Sequence, residues 1–108
     1  MEEIQALFDE VAGRMVASDA DVEIGRALSS EGLKVRGKLF GFVWKDKGIV
    51  VKLPADRVSG LIASGEGGVF DRGRGTPMRE WVCVRPGDTE ACRAYLSEAR
   101  DFVAAGAH

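Results

Sequence analysis

The residues with chemistry to offer in this chain are cations set among aromatic rings. Lys38, Lys45, Lys47, Lys52, Arg72, Arg74 and Arg79 share a central stretch with Phe40, Phe42 and Trp44. Cations in such a stretch suit phosphate contact, so these seven are the candidate anion or nucleic-acid contacts, while the rings read mostly as core. The net charge is only −2, but it is segregated. Residues 26–86 carry 12 Lys and Arg against six Asp and Glu, a balance of +6, whereas the two ends carry three basic and 11 acidic residues, a balance of −8. A positive centre can recruit an anionic partner, or acidic end helices can neutralise it within the molecule.

Other chemistries find little support. Cys83 and Cys92 have neither metal-pair nor redox spacing, and the lone His108 stands at the end of the sequence, so no zinc constellation and no cofactor are implied. Both cysteines read as small buried hydrophobes. Acid–base or nucleophilic catalysis wants a His, a Cys beside a base, or converging carboxylates, and no such set is visible; no catalytic residue is assigned. The glycines between Gly65 and Thr76 do not bind a nucleotide in a known way: no Gly-Lys-Ser/Thr follows a strand, and Gly73-Arg74-Gly75 runs into Thr76-Pro77 instead of opening a helix. Arg72-Gly73-Arg74-Gly75 reads as a turn between strands or as a basic glycine-rich segment. The whole stretch 65–76 is the loop expected to be mobile or functional.

These residues need a scaffold, and its centre is Lys38 to Leu53. Apolar residues occupy both alternating sets from Lys38 to Lys45, with Lys38, Phe40, Phe42 and Trp44 on one face and Leu39, Gly41, Val43 and Lys45 on the other. Such a pattern belongs to a central strand covered on both sides. Asp46-Lys47-Gly48 reverses the chain into the antiparallel strand Ile49–Leu53. Residues 2–17 read as an amphipathic helix with Ile4, Leu7, Phe8, Val11 and Met15 in one stripe. Val22–Leu28 reads as a strand, Ser29 to Gly32 as a turn, and Leu33–Val35 as a short edge strand. Pro54 and Asp56 start a helix of about ten residues whose inner face is Val58, Leu61 and Ile62, ended by Gly65. Glu80–Arg85 is a strand with Trp81, Cys83 and Arg85 on one face. Asp88 caps a last helix with the stripe Cys92, Tyr95, Leu96, Ala99, Phe102 and Val103. The fold expected is α+β: one domain, residues 1–108, with a single antiparallel sheet of five to six strands flanked by N-terminal, middle and C-terminal helices.

The series Lys38-Leu39-Phe40-Gly41-Phe42-Val43, Val51-Lys52-Leu53-Pro54 and Pro77-Met78-Arg79-Glu80-Trp81-Val82, with the glycine-rich loop between the last two, resembles the MmcQ/YjbR-like family and the related N-terminal domain of the competence regulator TfoX. The similarity runs from about Val22 into the last helix, and the spacing of V-K-L-P to P-M-R-E-W is its most specific part. The resemblance implies an antiparallel sheet flanked by helices, sometimes likened to a double-wing DNA-binding arrangement, in a family whose biochemical role is mostly unassigned. It also implies that Met78 and Trp81 anchor the core and that Pro54 starts a helix. Without the C-terminal domain of TfoX, regulatory activity of that kind is not expected.

The leading functional expectation is a non-enzymatic binding module for nucleic acid. The alternative is a protein-interaction or adaptor domain, homodimeric in its simplest form. A site is expected where the hairpin turn, the glycine-rich loop and Arg79 meet. No apolar run reaches the ~18 residues that a membrane helix needs, and the acidic, amphipathic start has no signal-peptide pattern, so the expected location is cytoplasmic.

Overall fold

Alternation along Lys38 to Leu53 builds the hairpin it predicts. In the computed structural model, which describes residues 2–27, 30–44, 47–70 and 78–106, strand β3 (Lys38–Trp44) pairs antiparallel with β4 (Gly48–Lys52), with Phe42 opposite Val50 and Trp44 opposite Gly48. Lys47 donates its N–H to the Trp44 carbonyl at 2.8 Å and closes the turn. Upstream, β1 (Val22–Ala27) and β2 (Ser30–Val35) form a second hairpin, and β2 joins β3 through the two-residue turn Arg36-Gly37. Both turn residues have positive φ, +52° and +82°, as a two-residue primed hairpin turn requires.

The chain then leaves the sheet. Helix α2 (Ala55–Ser64) begins after Pro54 and ends at Gly65, whose φ of +84° lets its N–H reach the Ile62 carbonyl while Glu66 N–H reaches that of Leu61. Strand β5 (Gly67–Val69) follows at once, and β6 (Trp81–Val84) inserts between β4 and β5. Among the described residues the sheet has six strands in the order β1-β2-β3-β4-β6-β5, all antiparallel. Together with α1 (Glu2–Ser18) and α3 (Thr89–Gly106), whose first turn is capped by Asp88 Oδ1 accepting from Ala91 N–H at 2.9 Å, this is an α+β fold of three helices on one sheet.

All three helices lie on one face. Ile4, Phe8 and Val11 of α1, Val58 and Leu61 of α2, and Cys92, Leu96, Ala99 and Val103 of α3 meet Leu33, Val35, Phe40, Val43, Ile49, Val51, Val82 and Val84 in the main core. The opposite face carries a smaller cluster of Phe42, Val50, Phe70 and Cys83, flanked by half-buried Leu39, Trp44, Met78 and Trp81. The central strands are therefore apolar on both sides because both sides are covered: Val50 and Val51, adjacent in sequence, are each 0% exposed. At roughly 1.5–3 kcal/mol for each large apolar side chain taken out of water, the second cluster is a substantial addition to the first.

Four details depart from the sequence reading. Phe40 does not share a face with Phe42 and Trp44. Leu33 pairs with Gly41 and Lys34 with Leu39, so Phe40 is the extra residue of a β-bulge that turns it into the helix-side core and places Lys38 on that side too. Strand β2 is not at an edge: it lies between β1 and β3 and begins within the stretch read as a turn. Part of the glycine-rich loop is the edge strand β5. Ile62 is 37% exposed instead of inward, because Val58 and Leu61 already fill the inner face of α2.

Candidate nucleic-acid interface

On the face that carries none of the described helices, the rings pack mostly edge to face. Phe42 meets Phe70 at 5.6 Å between centroids and 70°, and Trp44 meets Phe70 at 4.8 Å and 88°. Trp81 closes the group on Phe42 at 5.8 Å. Phe42 and Phe70 are each 2% exposed, whereas Trp44 and Trp81 are half-buried and keep part of their surface in water. Each indole has a lysine over it: Lys47 Nζ lies 5.5 Å from the Trp44 ring centroid and Lys52 Nζ 5.6 Å from that of Trp81. Because β3 and β4 run antiparallel, these two tryptophan–lysine pairs stand at opposite ends of the sheet.

The other sequence-predicted cations distribute as follows. Lys38 is exposed at the start of β3, where it and Lys52 line a depression with Leu39, Trp81, Phe102 and Val103 at the end of the sheet. Arg79 is exposed at the same end, just before Trp81, in a depression shared with Asp56, Ser59 and Met78. Lys45, Arg72 and Arg74 lie outside the described residues. The expected meeting of the hairpin turn, the glycine-rich segment and Arg79 is only partly realised. Lys52 pairs with Trp81 and Ile49 with Val84, so Arg79 and the turn lie at opposite ends of β6. The turn meets Gly65–Gly68 and Arg85 instead, around a cleft of about 750 Å³.

Two cations on this face were not picked out as candidate contacts. Arg85 follows Val84 on the side of Cys83, and its guanidinium donates to the Lys47 carbonyl. Lys34 faces the same way and stretches over Gly25, with Glu23 opposite it on β1. The alternation Trp81, Cys83, Arg85 gives the orientation of Arg85 in sequence. That it lands beside Lys47 follows from β6 pairing with β4, which no local pattern encodes. No family model, curated protein or solved structure matches the chain.

Both readings of the charge segregation have a physical counterpart. Arg36 binds Asp21 at 3.2 Å and Arg57 grips Glu98 at 2.8 Å, so carboxylates at or near the acidic ends neutralise part of the basic centre. Arg100 of α3 does the same within the ends, reaching Asp19 at 2.9 Å. Lys52 approaches Glu80 at 4.0 Å, a loose and partly exposed pair worth no more than ~1 kcal/mol. Lys38, Lys47 and Arg79 form no ion pair with a described carboxylate.

The cleft also contains Cys83, beside Lys47 and Arg85. Burial raises the pKa of its thiol, against the opposing pull of Arg85 and Lys47, so near neutral pH the group is the thiol and not the nucleophilic thiolate. Cys92, packed in the helix-side core, is pushed up to about 11 by burial.

Proposed function

We propose that this protein is a non-enzymatic binding module whose helix-free sheet face takes single-stranded nucleic acid. The observation that carries the reading is the pair of half-buried indoles, Trp44 and Trp81, each overlaid by a lysine on that face. An exposed cation–π contact is worth roughly 0.5–1 kcal/mol, and stacking a base on an aromatic side chain roughly 1–3 kcal/mol. A base can therefore displace the ammonium from the ring, and the released lysine is then positioned for the adjoining phosphate. Charge favours this face over the other: α1 and α3 together carry seven acids against three arginines, a net negative surface that disfavours insertion of either helix into a duplex groove.

Titration of labelled single-stranded DNA, single-stranded RNA and duplex DNA at low salt tests it. The expected result is binding at low salt at least as tight as the roughly 10⁻⁴–10⁻⁶ M usual for non-specific contacts at physiological salt, with affinity falling by about 0.7 log units per log unit of salt for each phosphate contact, and single strands preferred. Absence of binding, or binding indifferent to salt, overturns it.

One observation favours the alternative of a protein-interaction domain. The outer edge of β1 pairs with no described strand, and Ile24 upon it is 48% exposed, an arrangement open to strand addition by a second copy. Light scattering at two ionic strengths decides: a salt-insensitive dimer supports this reading and a monomer removes it.

A further inference from the structure

We infer that the cleft at the turn end of the sheet grips one nucleotide, its phosphate on Lys47 and Arg85 and its base along Trp44 and the backbone of β5. The inference rests on the nucleic-acid reading and makes it specific: the cleft at the turn end of the sheet, which also reaches Ala91 and Tyr95 of α3, is a built site, and the tryptophan face beyond it is a track.

Several observations converge there. The cleft, about 750 Å³, falls within the roughly 300–1,000 Å³ usual for small-molecule sites. Its cations come from two elements far apart in sequence, and the contact of Arg85 with the Lys47 carbonyl holds the guanidinium beside the turn. Glu66 is the one carboxylate among its described lining residues, against Lys47 and Arg85. Trp44 supplies an apolar wall, and Cys83 beside it is an uncharged thiol that adds no repulsion.

The glycines of β5 point the same way. Gly67 is explained by the fold, since a Cβ there would strike Val82 Cγ2 at 2.6 Å. Gly68 is not: a Cβ would meet nothing nearer than the Cys83 carbonyl at 3.9 Å, and its φ lies outside the range that favours glycine. The backbone and the neighbours would accept a side chain at Gly68, and leaving it out keeps the cleft open beside Cys83. Because β5 is an edge strand, its outer side also offers N–H and C=O groups to the polar edge of a base. Backbone donors and acceptors with a stacking wall suit any base, which accords with sequence-independent binding.

A nucleotide can arrive free or as a unit of a strand, and the experiment separates the two. In a Trp81→Phe background, where fluorescence reports Trp44, adenosine 5′-monophosphate and an oligodeoxyadenylate are each titrated into the intact protein and into its Gly68→Leu variant. Gly68→Leu fills the cleft and keeps every charge. The expected result is quenching by both probes, with the oligonucleotide weakened in the variant by about tenfold, the scale of losing one stacked base. Undiminished oligonucleotide binding by Gly68→Leu overturns the cleft assignment and leaves the sheet-face reading standing. Binding of the mononucleotide without the oligonucleotide keeps the cleft and removes the strand reading; binding of neither removes both. If Gly68→Leu does not fold, Lys47→Gln/Arg85→Gln carries the test against Lys52→Gln/Arg79→Gln at the other end. A larger loss from the first pair supports the cleft, and equal losses overturn it.

Discussion

Replacing Gly48 with alanine should be among the most damaging small substitutions available in this protein. Gly48 has φ +150°, and a Cβ on it would stand 2.5 Å from the Val84 carbonyl oxygen and 2.9 Å from Cys83 Sγ. The oxygen belongs to the backbone of β6, whose register with β4 is set at Ile49 opposite Val84, so it cannot turn aside without disturbing the ladder. Backbone strain of roughly 1–3 kcal/mol, overpacking of roughly 1–3 kcal/mol and about 1 kcal/mol for a weakened hydrogen bond give a loss of about 3–7 kcal/mol. That is a large fraction of the roughly 5–15 kcal/mol that holds a domain together. Gly37 is the internal control: its φ is +82°, yet a Cβ there meets nothing within 4 Å. Gly37→Ala should cost only the left-handed backbone penalty of about 1–2 kcal/mol, and Gly37→Asn less. Urea unfolding followed by tryptophan fluorescence compares them, with a slope of roughly 1–3 kcal/mol per molar turning midpoints into free energies. If Gly48→Ala costs no more than Gly37→Ala, the claim that Gly48 governs the approach of β4 to β6 is wrong.

Stability should also depend on pH at both extremes. Cys92 titrates near 11 when folded against 9.0 when unfolded, so the unfolded chain loses its proton first and stability falls as pH rises through that window, by an amount on the order of 2 kcal/mol. Unfolding midpoints measured from pH 8 to 11 should show this slope, and Cys92→Ala should flatten it; an equal slope in the variant would show the titration to lie elsewhere. Asp19 is held below its ordinary pKa, first by the Asp21 backbone N–H and then by Arg100, so its contribution is complete above pH 3.8 and is lost as pH falls through its lower folded value. Arg100→Gln should narrow that loss in acid unfolding curves, and a variant with an unchanged acid limb would sink the assignment.

Much of the fold was legible because local patterns and tertiary packing agree. The hairpin of Lys38 to Leu53, the Pro54 and Gly65 boundaries of α2, the Asp88 cap and the apolar stripe of α3 all reappear, since each rests on neighbours in sequence; the alternation before Gly41 does not, because the bulge at Phe40 shifts it. What local patterns do not carry is which strands lie side by side. Strand β5 has two glycines in its three residues and no strand-like side chain except Val69, so it exists only because β6 offers it an edge. The site suffered for the same reason. Lys47 and Arg85 meet through the β4–β6 pairing, while Arg79, close to Arg85 in sequence, is carried to the other end by the strand between them.

The bulge at Phe40 has a consequence for how this strand may be compared with any other. With Phe40 deleted, Lys38, Leu39, Gly41, Phe42, Val43 and Trp44 would alternate between the two faces without a break. Phe40 is in effect a one-residue insertion that gives the helix-side core an extra ring and leaves both halves of the strand in register with their partners. An alignment that matches this strand position by position, with no gap at Phe40, therefore assigns every residue before it to the wrong side of the sheet. Lys38 is the residue most misread in this way: the gap decides whether it belongs to the face of the tryptophans or to the rim of α3.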